Sequence, residues 1–350
     1  MTTVPHFSFW LPLLTALVSI SIHAQTKKPG QPLGTQTEVD VVRVSTTLVT
    51  VPVSIKDRKG RIILNLTRED FRLFEDGVEQ EIAYFEPPQK ATDELKGTGV
   101  ESQEKPVTIA LLLDVSDSTQ FKLKQIQDAA TAFANQLSPQ NRILVMAFDK
   151  DVRVLTEPTN DRNVLRQAIR QTLTGGGTSL YDAVDSVVTW CTRIGGRKAI
   201  VLLTDGVDTS SASATYISTV HAAEQLDAAI YPIQYDTYSD FADNPSRQTD
   251  ALGPGGTAHM TRNGELASEA YKRATLYLRL LANKTGGQFQ FADGTRNLAR
   301  SFERVAKQLR QEYGLGYYPK NQTRNGSQRR IKVTVGVPKV VVRARKSYLY

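Results

Sequence analysis

The 350-residue sequence predicts an α/β protein: a doubly wound, mostly parallel sheet, with a small β-sandwich-like domain formed by the N- and C-terminal flanks. Three observations carry that expectation. Val107–Leu113 and Lys198–Thr204 are apolar runs without alternation, as in strands covered on both faces of a parallel sheet. Between and after them the period changes to that of helices, and strands alternating with helices over about two hundred residues mean a sheet with helices on both sides. Before residue 89 and after residue 311 the texture returns to short runs of period two, bounded by turns.

Taken in order, residues 39–88 form an N-terminal β segment. Val44 to Ile55 alternates, Asp57–Gly60 is a turn, and Ile62–Leu64, Phe71–Phe74 and Ile82–Phe85 read as short antiparallel strands, with a further turn at Glu75–Gly77. Residues 89–105 are polar and charged, a linker. The α/β domain covers 106–311. Its first strand, Val107–Leu113, is followed by a helix over Leu123–Leu137, with apolar positions at Ile126, Ala129, Ala130 and Phe133. Strands at Arg142–Phe148 and Val152–Leu155 come next, then helices near 161–172 and 180–193. The strand Lys198–Thr204, a helix near 213–227 and the strand Ala229–Tyr235 complete the middle of the domain. After a long loop over 236–266 come a helix at 267–284, a strand at Gln288–Phe291 and a helix at 295–311. The tail, 312–350, offers strands at Tyr313–Tyr318, Arg330–Val335 and Val340–Arg343. A sandwich made of residues 39–88 alone would be marginal. Chain ends of a domain lie close together, so the tail is expected to pair with the N-terminal segment.

Composition narrows the compartment and the partners. Residues 1–24 hold no Lys, Arg, Asp or Glu, and Phe7–Ile22 is an apolar stretch that runs into Ser-Ile-His-Ala24. This reads as a secretory signal peptide cleaved near Ala24, followed by a linker at 25–38; the alternative is an uncleaved N-terminal membrane anchor. Either way the protein is exported, periplasmic or extracellular, with no transmembrane segment after cleavage. One cysteine, Cys191, cannot form an internal disulfide and reads as a buried helix residue. The net charge of +7 is uneven: residues 313–350 carry nine Lys or Arg and no acid, leaving 34 basic against 36 acidic residues elsewhere. Those charges alternate with Val, Ile and Tyr, the pattern of a solvated sheet face, and no nucleic-acid recognition motif accompanies them, so no nucleic-acid partner is expected.

Five residues carry the chemistry. Asp114, Ser116 and Ser118 lie in Asp-Val-Ser-Asp-Ser at the carboxyl end of the first strand; Thr178 follows Gly175–Gly177; Asp205 ends another strand in Thr-Asp-Gly. Ligands of open α/β sheets bind beyond the carboxyl ends of strands. Three hydroxyls and two carboxylates form an all-oxygen set for one hard divalent cation. The alternating Asp-x-Ser-x-Ser spacing puts three side chains on one side of an extended loop. Neutral hydroxyls leave the cation poorly neutralised, with appetite for an anionic ligand from outside. The loop from Asp236 to Leu266, with Asp240, Asp243, Asp250 and Gly253–Gly256, leaves the same sheet edge and reads as an overhang or a passive insertion. Asp117, Asp149, Asp151 and Asp208 read as solvated loop acids, and Ser210–Ser213 as a helix start. With His6 and His23 in the signal and only His221 and His259 left, no His-based zinc site or catalytic triad assembles.

These residues resemble the metal-ion-dependent adhesion site of von Willebrand factor type A domains. Asp114–Ser118, Thr178 in Gly-Gly-Gly-Thr-Ser and Asp205 in Leu-Thr-Asp-Gly match all three parts of that pattern in order. The flanking Val-Pro-Val-Ser-Ile-Lys-Asp-Arg-Lys-Gly and Leu-Gly-Tyr-Tyr-Pro are similar to the acidobacterial members of that group. The resemblance implies Mg²⁺, with Mn²⁺ or Ca²⁺ as alternatives. It implies direct binding by Ser116 and Ser118, direct or water-mediated binding by Thr178, and mainly water-mediated binding by Asp114 and Asp205. It further implies a protein partner whose Asp or Glu carboxylate completes the coordination. The expected function is a non-enzymatic, exported, adhesion-type module. A structural or assembly factor of the cell envelope is the alternative, and a metal-dependent hydrolase the third reading, disfavoured by the lack of an evident general base. The partner's identity and the oligomeric state are left open.

Overall fold

A computed structural model describes residues 48–88, 106–237, 264–293 and 295–350. The expected signal peptide, both linkers and most of the 236–266 loop lie outside the described residues. The long apolar runs form the middle of a six-stranded sheet. Its strands are β5 (Thr108–Asp114), β6 (Arg142–Phe148), β7 (Val152–Thr159), β8 (Lys198–Thr204), β9 (Ala229–Tyr235) and β10 (Gln290–Ala292), ordered β10-β9-β8-β5-β6-β7. All neighbours are parallel except β7, which runs antiparallel to β6 at the edge. Strand order reverses around β5, which lies between β8 and β6, so the carboxyl ends of β5 and β8 emerge side by side.

Each buried strand serves two cores, because successive side chains point to opposite faces. Ile109, Leu111 and Leu113 of β5 pack with Val201 and Tyr231 against Phe133 of α1 (Leu123–Gln136) and Phe302 of α6 (Thr295–Gln311). Ala110 and Leu112 turn the other way and join Leu202 and Ile230. There they meet Val184 and Val187 of α3 (Leu180–Thr192), Ala223 of α4 (Tyr216–Gln225) and Tyr277 of α5 (Ala267–Thr285). The remaining helix, α2 (Arg162–Arg170), is opened by Asp161, whose carboxylate accepts from Asn163 N and Val164 N. Cys191 is buried in α3, and burial pushes its thiol up to about 12. Among the described residues no helix is long and apolar enough to cross a membrane.

The two flanks build one sandwich. From the N-terminal side come β1 (Val49–Asp57), β2 (Phe71–Glu75), β3 (Val78–Gln80) and β4 (Tyr84–Glu86); from the tail come β11 (Tyr313–Tyr317), β12 (Gln328–Val335), β13 (Val340–Ala344) and β14 (Ser347–Leu349). They form two four-stranded sheets, β13-β1-β11-β4 and β14-β12-β2-β3. Val51, Val53, Leu73, Leu315 and Tyr317 meet between them, so neither flank has a core without the other.

The basic tail is not simply a solvated face. Arg330 and Lys332 are exposed, but Arg329 shares the inward parity of Ile331 and Val333 and is buried. It pairs with the equally buried Glu75 at 2.9 Å, whose other oxygen accepts from Tyr317 OH at 2.7 Å and Tyr348 OH at 2.6 Å. Arg345, also buried, donates to the carbonyls of Leu226 and Glu224 at the end of α4, fastening the sandwich to the α/β domain.

Candidate metal centre

Where β5 and β8 end side by side, a chain of hydrogen bonds joins four of the five candidate residues. Ser116 donates through its backbone N–H (3.0 Å) and Oγ (2.6 Å) to Asp114 Oδ1, and its Oγ lies 3.1 Å from Ser118 Oγ. Ser118 Oγ in turn donates to Asp205 Oδ2 at 2.8 Å. A single 3₁₀ turn, Asp117–Thr119, gives the loop this shape, and Thr119 Oγ1 locks it by donating to the Ser116 carbonyl at 2.7 Å.

Thr178 arrives on a separate loop. Gly175 bridges Ser116, its N–H donating to the Val115 carbonyl at 2.9 Å, which lays the glycine run along the Asp-x-Ser-x-Ser loop. The approach requires glycine: a Cβ on Gly175 would lie 2.1 Å from Asp149 Oδ2. Thr178 is buried, and its carbonyl accepts from Thr209 and Ser210 N–H. No hydrogen bond joins its hydroxyl to the other four residues among the described residues.

Both carboxylates are out of solvent, Asp114 0% and Asp205 2% exposed. Thr204 Oγ1 donates to Asp114 Oδ2 at 2.6 Å; Val207 N and Thr237 Oγ1 donate to Asp205 at 3.0 and 2.8 Å, with Tyr271 OH 3.5 Å away. Every one of these donors is a neutral hydroxyl or amide. Burial, and then the negative charge of Asp205, push Asp114 up to about 7. Asp205 is also raised, by burial above all. Burying like charges together without a cation is costly. Two carboxylates and adjacent hydroxyls therefore fit a hard divalent cation, which would answer that charge.

The surrounding acids divide differently from expectation. Asp149 is buried rather than solvated, paired with Arg153 at 2.7 Å, and Arg153's hydrogen bonds hold its carboxyl below the usual range against the effect of burial. Asp208 is half-buried and accepts from Ser211 Oγ and Tyr181 N, at the start of α3. Asp117 and Asp151 are exposed, in line with their reading as solvated acids. The run Ser210–Ser213 precedes α4 without capping it: Thr215 caps, accepting from Ser218 N at 3.1 Å. Three residues that hold the carboxylates, Thr204, Thr237 and Tyr271, do not stand out in the sequence. Thr204 is within reach of it, since it ends β8 immediately before Asp205. Tyr271 lies on a helix 66 positions after Asp205, and no local signal marks it.

Residues 109–207, which include all five candidate residues, match the family model for the von Willebrand factor type A domain. A curated relative, a UPF0353 protein of Mycolicibacterium vanbaalenii, is 31% identical over 116 residues, 29% of this chain. The match spans only 35% of that relative's length. Among solved structures, the von Willebrand factor type A protein of Catenulispora acidiphila aligns over 88% of this chain and 74% of its own, at 11% identity and a TM-score of 0.45. The vWF domain of the type V pili tip protein Mfa5 of Porphyromonas gingivalis aligns over 58% and 95%, at 14% identity and a TM-score of 0.42.

Proposed function

We propose that this protein is an exported, non-enzymatic binding module that captures an acidic side chain of a protein partner through a divalent cation, Mg²⁺ in the first place. One observation carries the reading. Asp114 and Asp205, both buried, are joined through the Ser116 and Ser118 hydroxyls and held only by neutral donors. When bound, the cation supplies a positive centre for a carboxylate from outside. The chain's own residues do the rest. Thr204 and Ser116 fix Asp114, while Val207 N–H and Thr237 fix Asp205, so the oxygens are aimed before any ion arrives. Ser116, Ser118 and Thr178 would contact the ion as neutral ligands and leave part of its charge unanswered. Neither carboxylate is free to act as a general base, because each already accepts several hydrogen bonds. Export rests on the apolar run Phe7–Ile22.

The test immobilises the protein and exposes it to an envelope extract in Mg²⁺, Mn²⁺, Ca²⁺ or EDTA, with Asp205→Ala as the control surface. Retention should require a divalent cation, fail on Asp205→Ala and be competed by a Glu-rich peptide. Equal retention in EDTA and Mg²⁺ would refute the proposal.

A further inference from the structure

At the junction of the sandwich and the α/β domain lies a half-open cleft of about 440 Å³ that the metal reading does not use. One end of it lies away from the carboxylate edge. Arg197, which precedes β8, donates to the Leu309 carbonyl, so α6 ends at the opposite end of the sheet, and Gln311 closes that helix. Four cationic side chains line the cleft: Lys56 and Arg61 from β1 and the turn after it, Arg304 and Lys307 from α6. None of the lining residues is acidic. Asp57, nearby in sequence, is held by Arg61 at 2.7 Å. Lys56 and Lys307 have no carboxylate partner among the described residues.

Apart from Gly60 and Ile62, the rest of the lining is amide. Gln290 and Gln308 are 6% and 7% exposed, and Arg304 reaches Gln290 Oε1 at 3.4 Å. Gln311 buries its amide oxygen with no hydrogen-bond partner. An unpaired buried amide oxygen is costly. Gln308 already donates to Glu312 at 3.0 Å. The rim of ammonium and guanidinium groups, with the other amides among them, matches oxyanions that have several acceptor oxygens. The volume exceeds what one phosphate needs, since a water occupies about 30 Å³ of liquid.

We propose that this cleft binds a ligand with more than one phosphate oxyanion within reach, either a soluble oligophosphate or adjoining phosphate headgroups of a lipid surface. Pyrophosphate titrated calorimetrically at low salt, in EDTA so that no divalent cation occupies the carboxylate edge, should show saturable binding. The double variant Lys56→Glu/Arg304→Glu should weaken it at least about tenfold, as expected for losing hydrogen bonds to charged donors. If circular dichroism shows that variant unfolded, Lys307→Gln, on the exposed face of α6, replaces it and should weaken binding by a factor of about three or more. Co-sedimentation with phosphatidylglycerol vesicles, against phosphatidylcholine, separates the sources: pyrophosphate alone bound means a soluble ligand, and vesicles bound and lost in the same variants means headgroups. No saturable binding in either arm, or binding unchanged by the variants, overturns the proposal. Neither result bears on the metal edge.

Discussion

The substitution Asp114→Asn separates the cost of the buried carboxylates from their use. In the metal-free fold burial, and then the charge of Asp205, push Asp114 up to about 7 from an ordinary 3.8. Below 3.8 both states are protonated and the fold loses nothing. Between 3.8 and 7 the unfolded chain gives up its proton while the folded chain keeps it, so metal-free stability falls as pH rises. Above 7 the loss levels off at about 4 kcal/mol, taking about 1.4 kcal/mol per pH unit. Mg²⁺ should act on the ionised form and offset part of that loss. At a hundredfold excess over Kd it stabilises by about 2.7 kcal/mol, roughly 5 °C in Tm for a folded unit of this size. The Mg²⁺ effect should thus be small at pH 5 and full at pH 8. The substituted amide keeps an oxygen for the Ser116 donors and carries no charge. In EDTA at pH 8 the Asp114→Asn variant should melt above the wild type; in Mg²⁺ the gap should narrow, because the wild type rises and the variant shows no Mg²⁺ response. Differential scanning calorimetry at pH 5 and 8, with and without Mg²⁺, reads all four conditions. A wild-type Mg²⁺ shift equal at both pH values, or an Asp114→Asn variant destabilised in EDTA at pH 8, would refute the reasoning.

Other outcomes test the frame around the site. Arg329→Ala leaves Glu75 buried without its ion-pair partner and should cost about 3–5 kcal/mol by denaturant unfolding, whereas Glu75→Met/Arg329→Met together should recover most of it. Gly175→Ala would set a Cβ 2.1 Å from Asp149 Oδ2; it should displace the Thr178 loop and abolish the Mg²⁺ shift while circular dichroism stays native. Gly287→Ala meets backbone instead, 1.9 Å from the Ile230 carbonyl oxygen, and should destabilise by about 3 kcal/mol or prevent folding. Cys191, buried with its thiol near 12, should resist alkylation at pH 8 until denaturant is added; labelling of the native protein at the unfolded rate would contradict that burial.

The α/β core was legible because its strands are apolar on both faces. Val107–Leu113 and Lys198–Thr204 admit no alternation, and the structure divides each residue by residue between two cores. Edge elements were harder to read. β7 continues past Leu155 to Thr159 although Pro158 reads as a break; at a sheet edge a missing N–H costs no ladder bond. Arg329 departs from its expectation for an instructive reason. The period-two rule places it with Ile331 and Val333, facing inward, and charge alone makes it look solvated. Within the candidate site, Asp114 and Asp205 share an edge because β5 and β8 are neighbours, which alternating strands and helices make natural. The Thr237 and Tyr271 donors come from chain that follows later crossings, so only the folded arrangement reveals them.

Two of the buried charge clusters break the same rule in opposite ways. Glu75 and Arg329 are of opposite sign, each 3% exposed at its side chain, and Tyr317 and Tyr348 supply further donors to the carboxylate. That cluster is closed and asks for nothing from outside. Asp114 and Asp205 are of like sign, and hydroxyls and amides are all that hold them. Hydrogen bonds orient a carboxylate but do not cancel its charge, so this second cluster keeps a charge that the proposed cation would answer. A fold that buries this net negative pair has two large apolar cores to carry its cost. The asymmetry, rather than burial by itself, is what supports the proposed ligand site at the edge of β5 and β8.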